Sequence, residues 1–124
     1  MSDEQAQEGA DSLHELRDAL RRFAAERDWE RFHSPKNLAS ALIVEAGELL
    51  EPFQWLGDDE SRRLAPEVVH RVADELADVL LYLVRLADVL DVDLAQAARR
   101  KIDVNARRYP VERSRGSARK YDAS

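Results

Sequence analysis

The sequence predicts an all-α protein, a four-helix bundle that self-associates. Three observations predict it. Apolar residues recur at three- and four-residue steps in separate blocks, with no useful strand-like alternation between them. The composition, 44% hydrophobic and 35% charged with only four Gly and four Pro in 124 residues, suits helices better than strands and turns. The apolar stripes also exceed what one short bundle can bury, which leaves a face for another copy.

Ser12 is a suitable N-cap, and Leu13, Leu16, Leu20 and Phe23 form one stripe of a first helix reaching about Asp28. Residues 1–11 are polar and acidic and are expected to be a disordered tail. The segment Trp29-Glu30-Arg31-Phe32-His33 leads to Ser34-Pro35, a cap followed by a proline suited to the first helical position. A second helix is predicted from Pro35 to about Glu51, with Leu38, Leu42, Ala46 and Leu49 on one side; Pro52 ends or kinks it. The stretch from Gly57 to Arg63 is polar and is expected to be a loop. Pro66 starts a third helix carrying Val68, Val72, Leu76, Val79, Leu83, Leu86 and Leu90. Asp93 caps a fourth helix that stops before Pro110. The expected division is a helical domain over 12–110 and a basic C-terminal tail over 111–124.

A length of 124 residues fits one domain with a real core. A net charge of −6 argues against a broad contact with DNA or RNA, so no nucleic acid polymer is expected as partner. There is no cysteine, which removes disulfides, zinc-thiolate centres and thiol nucleophiles. The sequence shows no secretory signal and no run of membrane-spanning length, and a cytoplasmic location without membrane attachment is the default expectation.

Two short motifs carry the chemistry. Glu45-Ala46-Gly47-Glu48 and Glu75-Leu76-Ala77-Asp78 each place two carboxylates one helical turn apart inside an apolar run. On a helical wheel Glu45 falls beside Leu38 and Leu49, and Glu48 lies next to Ala41, at the edge of the buried side. One such pair is ordinary on a solvated helix surface. Two pairs converging from two helices would make the hard, anionic oxygen pocket that a magnesium ion carrying phosphates requires. The residues alone leave solvated acids and a metal site equally open. Trp29 and Trp55, each at a helix end, can close a core or an oligomer contact, and their rings can also stack a nucleobase. Lys101, Asn105 and Arg108 share a face of the fourth helix, either as a solvated surface or as phosphate contacts.

Several segments together resemble the MazG-like nucleotide pyrophosphohydrolases, in particular their dCTP pyrophosphatase branch. They are Phe23-Ala24-Ala25-Glu26-Arg27-Asp28-Trp29, Phe32-His33-Ser34-Pro35-Lys36-Asn37-Leu38, Glu45-Ala46-Gly47-Glu48, Phe53-Gln54-Trp55, Glu75-Leu76-Ala77-Asp78-Val79-Leu80 and Arg107-Arg108-Tyr109-Pro110. The likeness spans roughly residues 13 to 121, and the paired acids match that superfamily's magnesium signature. The resemblance implies a MazG-like bundle, assembly into a homotetramer, and hydrolysis of a nucleoside triphosphate between the α and β phosphates. It implies that Glu45, Glu48, Glu75 and Asp78 hold magnesium and that Trp29, His33, Trp55 and Tyr82 contact the nucleotide. Phe32, in the same segment as Trp29 and His33, is counted with them. Lys101, Asn105 and Arg108 are added from spacing as phosphate contacts, and Glu48 or Glu51 is the candidate base that activates water. Leu20 stands where the animal enzymes are expected to have a histidine near the base, and Pro52 replaces an aliphatic residue near Trp55.

The expected function is a magnesium-dependent pyrophosphohydrolase that converts dCTP or a modified dCTP to dCMP and pyrophosphate as nucleotide-pool house-cleaning. Two alternatives stay open: the same fold acting on dUTP or phosphoribosyl-ATP, and a non-catalytic helical oligomerisation module.

Overall fold

The computed structural model describes residues 3–118, with side chains from Ser12 onward. Its elements are α1 (Asp3–Glu26), α2 (Pro35–Leu50), α3 (Asp58–Ser61), α4 (Pro66–Val89), α5 (Leu94–Arg108) and α6 (Val111–Ser114), with a 3-10 turn at Glu30–Phe32. The four long helices are the four expected. The single turns α3 and α6 fall where loop and tail were predicted, because four residues are too few to show an apolar period. Among the described residues there is no strand.

Helix α1 begins at Asp3 rather than at Ser12, so residues 3–11 of the expected tail are helical. They are rich in Glu, Gln and Ala, good helix formers, and begin with acids that suit a helix N-terminus. Lacking apolar residues, they leave no period to read. Residues 1, 2 and 119–124, the ends of the two expected tails, lie outside the described residues.

The helix ends follow from local chemistry. Ser34 accepts the Asn37 backbone N–H at 3.1 Å and Pro35 takes the first position of α2. Asp93 likewise accepts the Gln96 N–H at 3.0 Å to start α5. At the end of α1, Asp28 adopts φ 53°, and the N–H groups of Asp28 and Trp29 bond to the carbonyls of Ala25 and Ala24. This double closure turns the chain back on its own helix. Asp91, at φ 56°, does the same after α4.

The most extensive packing is α2 on α4, followed by α1 on α4 and α1 on α5. The core between them is small: Ala24, Leu38, Val84 and Ala87. The predicted face of α4 divides. Val68, Val72, Val79 and Leu86 are half-buried, whereas Leu76, Leu83 and Leu90 are exposed, because the apolar stripe is wider than the surface α1 and α2 present to it. Ala46, expected beside Leu38, is also exposed. The outward residues of α4 keep their own order: Val69, Ala73, Leu76, Leu80, Leu83 and Leu90, with the buried Ala87 in the same phase, alternate steps of four and three. That is the spacing of a helix seam made to meet another helix. No helix among the described residues is long and apolar enough to cross a membrane.

Candidate active site

The close packing of α2 on α4 brings Glu45 and Glu48 against Glu75, with one carboxylate oxygen of each within 4.8 Å of the others. All three are half-buried, and among the described residues one oxygen of Glu45 and one of Glu75 are enclosed without a hydrogen-bond partner. Enclosed acceptors without a donor are costly unless a cation meets them. Burial, a hydrogen bond with Glu48 and the charges of Glu48, Asp78 and Glu75 together push the Glu45 carboxyl up to about 7. The crowding of like charges, the orphaned oxygens and the all-oxygen donor set fit a hard divalent cation. Asp78 is more exposed and stands outside this triad, though its charge reaches Glu45.

Asp78 instead lines a cavity of about 280 Å³ next to the acids. Its walls are Leu20, Phe23 and Ala24 from α1, Trp29 and His33 from the connection, Leu38 from α2, and Leu81, Tyr82 and Arg85 from α4. The backbone closure at Asp28 puts Trp29 edge-on to Phe23, with ring centroids 5.5 Å apart and planes at 70°. His33 follows the 3-10 turn, which the Asn37 side chain secures by donating to the Phe32 carbonyl at 3.0 Å. Burial and the nearby Arg85 charge lower the His33 pKa. The cavity is therefore apolar and aromatic with a few polar groups, and Asp78, one helical turn beyond Glu75, is the acid in its wall.

The remaining candidates stand apart within one chain. Trp55, at 88% exposure, lies outside the cavity. Phe32 is exposed, with the Arg31 guanidinium 4.8 Å from its ring centre. Lys101, Asn105 and Arg108 are on the exposed part of α5 and do not line the cavity. Glu51 faces Arg71 at 3.6 Å and is not part of the acid triad. Pro52 borders a separate surface cleft with Leu56 and Val68. Sequence reasoning passed over Phe23 and Arg85 in the cavity wall. The available signal for Arg85 was a lone charge within Leu81-Tyr82-Leu83-Val84-Arg85-Leu86-Ala87, one turn beyond Tyr82.

The MazG-like family model matches residues 41–123. The chain belongs to the MazG-like family. Among its MazG-like relatives, dCTP pyrophosphatase 1 of Bos taurus is 53% identical over 112 residues, covering 89% of this chain and 66% of the relative. The Homo sapiens protein of the same name is 48% identical over 112 residues with the same coverage. The chain thus spans slightly less than two thirds of the length of these curated relatives. The MazG-like bundle is also similar to a pyrophosphatase from Archaeoglobus fulgidus, with TM-score 0.71 and 43% identity over 80% of this chain and 93% of the other.

Proposed function

We propose that the chain is a magnesium-dependent nucleoside triphosphate pyrophosphohydrolase that converts dCTP or a modified dCTP and water to dCMP and pyrophosphate. The observation that carries this reading is the adjacency of the Glu45–Glu48–Glu75 triad to a cavity walled by Trp29, His33 and Tyr82. Relatives named dCTP pyrophosphatase 1 at about half identity support the substrate.

Glu45, Glu48 and Glu75, with Asp78 at the edge, would hold the ion. When bound it supplies charge neutralisation for the phosphates and acidifies water. The chain's own part is positioning. Trp29 and Tyr82 seat the base in the cavity, which leaves the phosphates toward the acids. A carboxylate, Glu48 or Glu51, takes the proton of a water aimed at the α phosphorus. The new P–O bond forms as the α–β bridging bond breaks, and pyrophosphate leaves with the electron pair.

Assembly belongs to the same reading. The exposed Val69–Leu90 seam on α4 and the exposed Ile43, Val44 and Leu50 on α2 are seats for further copies, in a homotetramer. Gly47 supports this. It lies inside α2, where glycine costs about 1 kcal/mol against alanine, yet a Cβ there would meet nothing within 4 Å of the same chain. A neighbour's close approach would explain it. We assign Trp55, Phe32, Lys101, Asn105 and Arg108 to sites completed by a neighbouring copy. A helical domain over 12–110, with α1 extended back to Asp3, and a cytoplasmic location, where free nucleotides are found, complete the proposal.

Pyrophosphate release from a panel of nucleoside triphosphates, with magnesium and with chelator, tests it. Magnesium-dependent release greatest with dCTP is expected. Release greatest with another base keeps the chemistry and directs attention to Leu20 in the cavity wall. No release from any nucleotide overturns the enzyme.

A further inference from the structure

Arg85 has no role in the reading above, yet it borders the cavity and is only 11% exposed. Its Nε–H donates to Nδ1 of His33 at 3.1 Å. Its Nη1 faces Asp88 at 3.4 Å, and Asp88, itself 10% exposed, accepts two N–H groups from Arg21, one of them at 2.7 Å. A chain His33–Arg85–Asp88–Arg21 therefore ties the connecting turn to α4 and α1.

The direction of the first bond has a chemical consequence. A guanidinium only donates, so Nδ1 of His33 must accept, and the proton of the neutral ring sits on Nε2. Among the described residues Nε2 meets no partner, and the ring is part of the cavity wall, so this N–H is available to a ligand there. The groups facing His33 are Arg85, which disfavours its charged form, and Glu30, which favours it; Asp78 and Tyr82 line the same cavity.

We propose that Arg85 is a positioning residue that locks His33 as its Nε2–H tautomer, a fixed hydrogen-bond donor to an acceptor atom on the edge of the bound base. Cytosine presents adjacent acceptors there, its ring N3 and its O2. The inference rests on the nucleotide reading of the cavity. It gives the cavity, whose wall also holds the apolar Leu20, a polar selector set by a residue that contacts the ring through Nδ1.

The test is nitrogen-15 NMR of the His33 ring in the full chain, without nucleotide, in wild type, Arg85→Ala and Arg85→Lys, together with dCTP kinetics. Wild type should show the Nε2–H form at neutral pH. Arg85→Ala should show a mixture of tautomers and a ring that protonates at higher pH, and Arg85→Lys should restore part of the wild-type state. Losing one oriented neutral hydrogen bond should raise KM about five- to tenfold with kcat nearly unchanged. In a His33→Ala background the same substitution should add nothing. A wild-type ring carrying its proton on Nδ1 overturns the proposal even if the variants fail to fold. So does an Arg85→Ala effect on KM that persists without His33. The expected spectrum with no turnover of dCTP rejects the nucleotide reading and the base contact with it, while the lock on the ring remains measured.

Discussion

Replacing Asp88 with alanine examines the ion-pair chain where it is most enclosed. Asp88 is one tenth exposed, and hydrogen bonding from Arg21, which outweighs the opposing effect of burial, holds its carboxyl below the usual range. Its two cationic partners differ. Arg21 is half exposed and can turn into water when Asp88 is removed, at little cost. Arg85 is 11% exposed and cannot. A buried charge stripped of its partner costs about 3–5 kcal/mol, and the bond Arg85 keeps with neutral His33 offsets part of this. The expected loss for Asp88→Ala is therefore about 3 kcal/mol, and it should exceed that for Arg21→Ala, which leaves Asp88 still paired with Arg85. At a urea slope of about 1–3 kcal/mol per molar, the midpoint should fall by about 1–3 M. The two variants and wild type are compared at one chain concentration, because the proposed association would add to apparent stability. Adding Arg85→Leu to Asp88→Ala removes the stranded cation and should recover stability. A cost for Asp88→Ala no greater than that for Arg21→Ala, or a double variant weaker than the single one, refutes the reasoning.

Other outcomes follow from the same geometry. Glu45→Gln should abolish turnover. In chelator it should also flatten the pH dependence of stability, because a carboxyl raised from 4.5 to about 7 makes the wild-type fold bind an extra proton between those values and lose stability as pH rises through them. Thermal midpoints from pH 4.5 to 8 check this, and equal slopes for variant and wild type count against it. Leu38→Ala, at a side chain 2% exposed beneath the cavity, should cost about 2–5 kcal/mol in denaturant unfolding. Leu83→Glu puts a charge in the middle of the outward seam of α4; sedimentation should then give a smaller particle than wild type, and an unchanged mass removes the seam as an interface.

The four long helices were legible because each has both a period and punctuation: Ser34-Pro35, Pro66 and Asp93 mark starts that the backbone uses. The first turns of α1 were not, since a polar helix end has no apolar stripe. The acids were legible as two pairs, but their unequal places were not. Glu75 meets Glu45 and Glu48, while Asp78, one turn on, faces the cavity, a difference set by how α2 crosses α4. Trp29 was noticed for its ring, but its placement depends on Asp28 in the left-handed region, which no side-chain pattern announces. Arg85 was missed because a lone arginine in an apolar helix acquires meaning only when the partners on other elements, His33 and Asp88 with Arg21 behind it, are brought to it.

Helix α4 also acts as a ruler. Glu75, Asp78, Tyr82 and Arg85 follow one another by three, four and three residues, a stripe about 15 Å long at 1.5 Å per residue. One end carries carboxylates and the other a guanidinium already engaged by His33 and Asp88, so on the proposed reading a cation held at the acidic end draws the phosphates there and leaves the base to the Tyr82 end. The outward leucines keep the same alternation on another side of the cylinder. An insertion of one residue between Asp78 and Tyr82 would rotate everything beyond it by about 100°, displacing the base end and the leucine seam together. The length of the stripe can thus change only in steps close to a full turn. Finer adjustment to a different base falls to the opposite wall, where Leu20, Phe23 and Trp29 can be exchanged without disturbing the helical phase.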